Sequence, residues 1–465
     1  MSVKISPNII PTREELGAKT DVTPQDTYLM GLIEQSQALA LPEVAPQVAS
    51  LRQELRDRAS LWLKQISLPG RRDEEWRFTN LSPLTEVNFQ TPQVTSDIVK
   101  DAIASLTLPE ATIRLTFVNG IYTSQLSAVE GLPEGVYVGN LAALPAEYAN
   151  RLGDYLGRQM GSSETFTALN TASLADAAVV WVSKSQIVET PIHLLFLSTT
   201  GDVPAIAQPR CLVVAEANSQ LTLVEHYAAE VEGCPDLPVN RPYFTNQVTE
   251  IWLEENAQVN HTRNQRDAGD AFHIGKTAVA QARDSRYTCN AITLGAKLSR
   301  HNLEVYQKGE GTQTYLNGLT AIAGEQVADT HSAIALNHPN GTSDQLHKCI
   351  ADDRSHIIFN GKIFVPQAAQ LTNASQLNRN LMLSPKARVN TKPQLEITAD
   401  NVKCAHGATI SQLEAEAVFY LQSRGLSETD ARNLLIDAFV AEILDRIPVE
   451  SLRQRLLQCT ACRTI

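Results

Sequence analysis

No apolar run in this chain approaches the roughly 18 residues that a membrane helix needs. The opening stretch, MSVKISPNIIPTREELGAKTD, lacks an apolar segment followed by a small-residue cleavage site. It also lacks the Arg-rich, acid-poor character of a transit peptide, so a cytoplasmic protein is expected. Basic charge is in short supply. There are 39 Lys and Arg against 51 Asp and Glu, giving a formal net charge of −12. A general nucleic-acid binder carries a basic field, so the balance argues against that role. Cysteine is sparse, with seven residues scattered at 211, 234, 289, 349, 404, 459 and 462. An odd count without regular spacing is no disulfide framework, and reduced thiols are expected. The chain has 465 residues, 43% of them hydrophobic and 19% charged, enough to bury a core. That length exceeds one ordinary domain, although one long β-domain with helical ends also fits.

Signatures of catalysis are missing as well. There is no Gly-x-Ser-x-Gly elbow and no His-Glu-x-x-His. The nearest approach to a phosphate-binding loop is Gly269 to Thr277, which has one residue too many between its glycines and runs into a strand-like segment. Loop length sets the nest of backbone N–H groups, so this is not a nucleotide site. Asp352-Asp353 could be an acid pair of the kind used by β-helical polysaccharide-cleaving enzymes. Adjacent strand residues face opposite ways, however, and a plain turn is the better reading. The terminal Cys459-Thr460-Ala461-Cys462 has metal or redox spacing but no second ligand pair nearby.

What the chain does contain is strand-and-turn sequence with helical ends. Residues 1 to about 26 read as a loose polar arm. Two helices should follow. In the second, Leu51, Leu55, Ala59, Trp62 and Ile66 line one face, and Pro69-Gly70 ends it. Arg71 to Thr79 reads, on composition alone, as a surface loop with one aromatic anchor. From Ala111 the period shifts towards two, with a helical or irregular insert over 145–177. From about 210 a small residue, any residue and a β-former recur after turns: Ser219-Gln220-Leu221, Ala257-Gln258-Val259, Ser285-Arg286-Tyr287, Ala296-Lys297-Leu298, Ser355-His356-Ile357 and Ala387-Arg388-Val389. Such corners suit short strands stacked coil upon coil, although a sandwich also has many short strands. The stacked form is preferred because the β-region is so long.

The stretch from Asp352 to Gly407 organises the rest. Runs HIIF, KIFV, ARVN and LEIT alternate with turn-type clusters, and the Asn-rich run 373–380 fits turn ladders or a solvated loop. The stretch ends in Cys404-Ala405-His406. On a strand, residues i and i+2 share a face, which sets a thiol beside an imidazole. Both are suitable iron ligands, but a pair needs at least one more donor from a loop or a second subunit. After Gly407 the chain turns helical. Ser427 with Asp430 resembles a capping box, and Gly425 is a C′ stop. Ala431, Leu434, Leu435, Ala438, Phe439, Ile443, Leu444 and Ile447 form a wide apolar stripe. Pro448 is placed at the start of a last helix.

The run Lys392-Pro393-Gln394-Leu395-Glu396-Ile397, followed by Asp400-Asn401-Val402-Lys403-Cys404-Ala405-His406-Gly407-Ala408-Thr409, resembles the signature of the SufB/SufD family of iron–sulfur cluster assembly scaffolds. Asn378 to Ser384 matches the same block, and so does Arg71–Thr79 with its Glu75-Trp76-Arg77. The resemblance covers about 45–450, and its Cys-Ala-His-Gly-Ala-Thr form is nearer the SufD branch than the SufB branch. It implies a mainly β fold: a right-handed parallel β-helix core over 111–407, an N-terminal arm and helical region over 1–110, and a C-terminal helical domain over 408–465. It implies a scaffold subunit that pairs with a SufB-type subunit and docks the ABC-type ATPase SufC, which would supply the ATP chemistry. No permanently bound cofactor is expected, only a transient iron–sulfur cluster at the SufB interface. His406 is implied in cluster assembly as iron ligand or proton acceptor, with Cys404 a lesser candidate. Leu434, Leu435, Ala438, Phe439 and Ile443 are the expected ATPase-docking residues. Without SufB, a homodimer through the same β-face is plausible. Two alternatives stand beside this reading: a β-helical carbohydrate-active enzyme, and a purely structural partner without assembly chemistry.

Overall fold

The computed structural model describes residues 10, 24–38, 41–91, 100–199, 203–229 and 240–462. The arm expected over 1–26 lies outside these residues, apart from Ile10 and the start of the first helix at Pro24. The two expected helices are Pro24–Gln37 and Pro46–Leu63. The second has proline in its first turn, where no intrahelical N–H is needed, and ends before Pro69-Gly70, at Leu63. It buries Val48, Leu55, Ala59 and Leu63, and also Arg52 and Arg56. These two guanidinium groups donate to the carbonyls of Ala175 (2.8 Å) and Leu174 (3.0 Å), tying the helix to the insert beneath it.

From Gln220 the chain alternates between two parallel sheets. The first holds Gln220–Ala229, Gln258–Asp267, Arg286–Gly295, Gln313–Ile322, Thr342–Ala351, Asn373–Met382 and Lys403–Ser411. The second holds Tyr243–Leu253, Phe272–Gln281, Leu298–Gln307, Val327–Ala335, His356–Val365 and Arg388–Ile397. Each strand but the last of each sheet pairs in parallel with the strands of the preceding and following coils, giving a β-solenoid of about eight coils. The stacked reading therefore holds. The opening end is closed by antiparallel partners, Ile121–Tyr122 on Ile113–Val118 and Val136–Asn140 on Ala178–Val182.

One corner explains the recurrent small residues. Asn218, Asn256, Asp284, Gly311, Asn340 and Leu371 all adopt left-handed φ between 56° and 70°. Each donates its N–H to a carbonyl of the next coil: to Glu255, Arg283, Glu310, Pro339, Gln370 and Asn401 in turn, at 2.8–3.1 Å. The next residue, Ser219, Ala257 or Ser285, is a buried small side chain that links the corner to the strand beginning at Gln220, Gln258 or Arg286. Gly, Asn and Asp tolerate this conformation, whereas leucine does so at a cost.

Inside the solenoid, residues of every second position stack in register. Leu221, Leu223, Val259, Tyr287, Leu316 and Ala374 of the first sheet join Ile251, Val279, Val305, Ile334 and Ile363 of the second in one apolar cluster. A fully buried side chain of this size contributes about 1.5–3 kcal/mol. The outer face of the first sheet is covered by the C-terminal helices. Ile436, Val440, Ile443, Leu444, Ile447 and Leu452 pack on Val224, Ile292, Leu319, Leu346 and Leu381. The outer face of the second sheet is covered by the N-terminal region, where Trp76 and Phe166 meet Phe244, Phe272 and Leu298.

Three local expectations change. HIIF and KIFV are one strand, His356–Val365, running straight through Asn360-Gly361. ARVN and LEIT are likewise one strand, Arg388–Ile397, which tolerates Pro393 because it is the sheet's edge. The Asn-rich run is also a strand, Asn373–Met382, with Asn378 and Asn380 buried. Among smaller points, Ser427 caps the helix Glu428–Leu444 by accepting from Asp430 N (3.0 Å), and Gly425 has φ +98°. The last helix starts at Glu450, two residues after Pro448.

Candidate functional site

The solenoid ends at two open edges. Among the described residues, Lys403–Ser411 pairs only with Asn373–Met382, and Arg388–Ile397 only with His356–Val365. Edge strands present unpaired N–H and C=O groups, a template for another chain. Here they also carry exposed Ile397 and Ile410.

Cys404 and His406 lie on the final strand, in register with Ala374 and Gln376. Ala374 belongs to the internal cluster and Cys404 packs against that cluster, so the thiol faces inward. His406, two residues on, shares that face, as expected for a strand. Among the described residues no further coil covers them: Cys404 is half-buried and His406 exposed. Burial pushes the Cys404 thiol up, and a backbone contact at Ala374 offsets part of that. A raised thiol is a weak nucleophile and needs a cation or a metal to become thiolate. Among the described residues, no three His, Cys, Asp or Glu side chains come together as a metal group. Cys404 and His406 thus place a thiol and an imidazole on one face at an open end.

Behind this end runs a polar column that the sequence reading missed. Glu225 lies 3.3 Å from His261, whose Nδ1 meets the Tyr287 hydroxyl at 2.9 Å. Burial alone would push His261 down, but the Glu225 carboxylate and Cys289 outweigh it and raise it to about 9. Arg263 contacts His273 (2.6 Å), which contacts Asp267 (2.9 Å). Further along come Thr277 with His301, Thr320 with His347, and Ser332 with Gln345, whose oxygen in turn accepts from Gln376. The available signal was polar residues recurring at period two within strand-like runs, such as His261, Arg263 and Gln265.

The segment Arg71–Thr79 is no loose loop. It forms a short turn of helix, Glu74–Trp76, clasped across four strands of the second sheet. Arg300 lies 3.9 Å from the Trp76 ring centre and donates to the Glu75 carbonyl and to Asp329. Glu75 takes Lys362, Asn360 and His331, and Thr79 bonds Asp329. Glu74 reaches Lys392 on the edge strand (2.5 Å). A cleft of about 570 Å³ lies on one side of the clasp and one of about 310 Å³ on the other.

The apolar stripe on Glu428–Leu444 divides in two. Ile443 is fully buried against the solenoid. Phe439 is half-buried there, with Lys348 4.6 Å from its ring centre. Both pack within the chain's own core, Phe439 only in part. Leu434 (48% exposed) and Ala438 point outward, Leu435 is intermediate, and the neighbouring helix Ala415–Ser423 adds Phe419 (71%) and Tyr420 (57%). Asp352-Asp353 lies in a turn, and Gly275-Lys276-Thr277 sits mid-strand, so neither forms the site its sequence suggested. Cys459 is half-buried near the end of the last helix, while the Cys462 side chain lies outside the described residues.

A parallel β-solenoid capped by helices at its N- and C-terminal ends defines the structural class of the protein. Comparison with known families sharpens this. Residues 196–439 match the SUF system FeS cluster assembly SufBD core domain, and residues 26–194 match the SufBD protein N-terminal region. The chain belongs to the SufBD family of iron–sulfur cluster assembly proteins. It is 54% identical to an iron-sulfur cluster assembly SufBD family protein of Synechocystis sp., over 88% of this chain and 90% of the relative. It is 33% identical to the chloroplastic protein ABCI7 of Arabidopsis thaliana (97% and 94%). It is 30% identical to the iron-sulfur cluster assembly protein SufD of Escherichia coli (85% and 89%). No helix among the described residues is long and apolar enough to cross a membrane.

Proposed function

We propose that this chain is a non-catalytic scaffold subunit of iron–sulfur cluster assembly, working at the open end of its solenoid. The observation that carries the reading is the shared inward face of Cys404 and His406 on the last, singly paired strand. A SufB-type subunit would add its strands to the edges at Lys403–Ser411 and Arg388–Ile397, bringing the missing donors to His406. The transient cluster is the cargo of that interface. His406 serves it as an iron ligand or a proton acceptor, and Cys404, less exposed and with its thiol raised, is the lesser donor. In the absence of SufB, the same edges support self-pairing into a homodimer.

The ATPase SufC would dock on the outward face of the C-terminal helices. That face consists of Leu434 and Ala438 with Leu435, Phe419 and Tyr420, since Phe439 and Ile443 are occupied internally. Exposed aromatic and aliphatic side chains grouped on two adjacent helices mark an interaction surface. Because those helices pack on strands of the first sheet, a displacement of the helices would be felt along the solenoid.

The test is co-expression with SufB and SufC, then iron and sulfide analysis of wild type and His406→Ala. Loss of cluster from an intact complex supports the site. Normal cluster in the His406→Ala complex reduces the chain to a structural partner.

A further inference from the structure

Inside the solenoid a line of side-chain amides runs toward the open end. Gln345 Nε2 donates to Ser332 Oγ (2.8 Å), and Gln376 Nε2 donates to Gln345 Oε1 (2.8 Å). These bonds fix the direction of the line. The Gln376 amide nitrogen points back into the solenoid, so its oxygen is the free terminus. Gln376 is 2% exposed, and its Oε1 is buried without a hydrogen-bond partner. A buried acceptor left unpaired is unfavourable and rare in native structures.

The amide has little freedom to turn elsewhere. Gly361 stands against it: a Cβ at that position would lie 2.2 Å from Gln376 Nε2 and 3.0 Å from Oε1. The absence of a side chain at 361 is what admits the Gln376 amide, which is held on its other side by the bond to Gln345. In the next coil the Cα partner of Gln376 is His406. The two side chains leave the same face of neighbouring strands about 4.8 Å apart, within reach of one another. His406 is exposed at the end of the column and can turn about its side-chain torsions.

We propose that Gln376 is a positioning residue for His406, its side-chain oxygen accepting the N–H of one ring nitrogen and leaving the lone pair of the other directed out of the open end. Residues that orient metal-binding histidines commonly act in this way, fixing tautomer and ring direction through the second nitrogen. The role deepens the reading of His406 as the assembly residue and rests on it. The contact itself is testable without any cluster.

The experiment is nitrogen NMR of ring-labelled histidine in the full chain at pH 8, with His406 assigned by its loss in His406→Gln. Wild type should hold one dominant tautomer. Gln376→Leu should move the tautomer ratio toward that of free imidazole by roughly three- to tenfold, the weight of one ordinary hydrogen bond. Gln376→Glu, which keeps an acceptor of the same length, should restore the wild-type tautomer. Gln376→Asn, too short to reach, should behave like leucine and serves if the leucine variant does not fold. An unchanged ratio in the folded leucine or asparagine variant overturns the inference, as does failure of glutamate to restore the tautomer. If the tautomer follows Gln376 but His406→Ala assembles clusters normally, the contact stands and the assembly reading fails. If His406→Ala abolishes assembly while the tautomer ignores Gln376, only the positioning role fails.

Discussion

Gly318→Ala should unsettle the interior far more than one methyl group would suggest. Gly318 sits mid-strand and is the Cα partner of His347 in the next coil. A Cβ at Gly318 would lie 1.9 Å from His347 Nδ1 and 2.3 Å from Cε1. The ring cannot yield cheaply. It is 4% exposed, its Nε2 meets the Thr320 hydroxyl at 3.0 Å, and its centre is 5.1 Å from that of Phe359. Moving it sacrifices a hydrogen bond worth about 1 kcal/mol. Overpacking the core adds about 1–3 kcal/mol. The substitution should therefore cost about 2–4 kcal/mol by these terms. His347→Ala alone should cost about 2–5 kcal/mol, the range for large-to-small changes in a core. In the double variant the alanine methyl occupies space the ring has left, so the first cost disappears and the coupling equals that cost, about 2–4 kcal/mol. The assay is urea unfolding of the four chains near neutral pH, where His347, pushed down to about 4 by burial, is neutral in the fold. A Gly318→Ala cost below about 0.5 kcal/mol, or one equally large without His347, would refute the packing argument.

Leu371→Asn should stabilise the chain by about 1 kcal/mol, because leucine occupies a left-handed corner that asparagine tolerates. A lower unfolding midpoint would count against the corner ladder. His261, raised to about 9 from its ordinary 6.5, gains a partner on folding, so its stabilisation is complete below about pH 6.5 and is lost as pH rises through about 9. Urea midpoints should fall over that window in wild type and stay flatter in His261→Gln; parallel profiles would show that the His261–Glu225 pair does not govern it. Phe419→Asp with Leu434→Asp should leave the unfolding free energy within about 0.5 kcal/mol of wild type, as surface changes do. The same variant should lose SufC in a pull-down, and full retention would remove this face from the docking proposal.

Strand content, helical ends and the Cys404–His406 pairing were legible because they depend on period and spacing, which the sequence carries directly. The interior was less so. Asn360-Gly361 and Asn373 to Asn380 look like turns because a solvated loop and a polar solenoid interior use the same residues. What distinguishes them is the amide-to-amide bonding between coils, visible only once Gln345, Gln376 and Asn378 are in register. The residues between ARVN and LEIT include Pro393, which removes a donor, yet an edge strand has donors with nothing to bond. The apolar stripe on 431–447 was real, but its period could not say which part faces the solenoid. Leu319, Leu346 and Leu381, spaced along three different coils, settle that for Phe439 and Ile443. The family resemblance located Arg71–Thr79 as significant, while its partners, Arg300, Asp329, His331 and Lys362, lie too far away in sequence for any local pattern to show.

The clasp at Glu74–Thr79 has a consequence for biogenesis. Glu74 and Lys392 are 318 residues apart, and Glu75 and Lys362 are 287 apart. A ribosome must therefore deliver most of the polypeptide before the segment around Trp76 meets its final partners. Loop closure over such spans is slow relative to the growth of neighbouring coils. Until then an indole and two glutamates wait for surfaces that have yet to be translated. Completion of the edge that would receive a second subunit thus coincides with the seating of residues made near the beginning. A truncated nascent chain would lack both, and would expose Trp76 as a mark of its incompleteness.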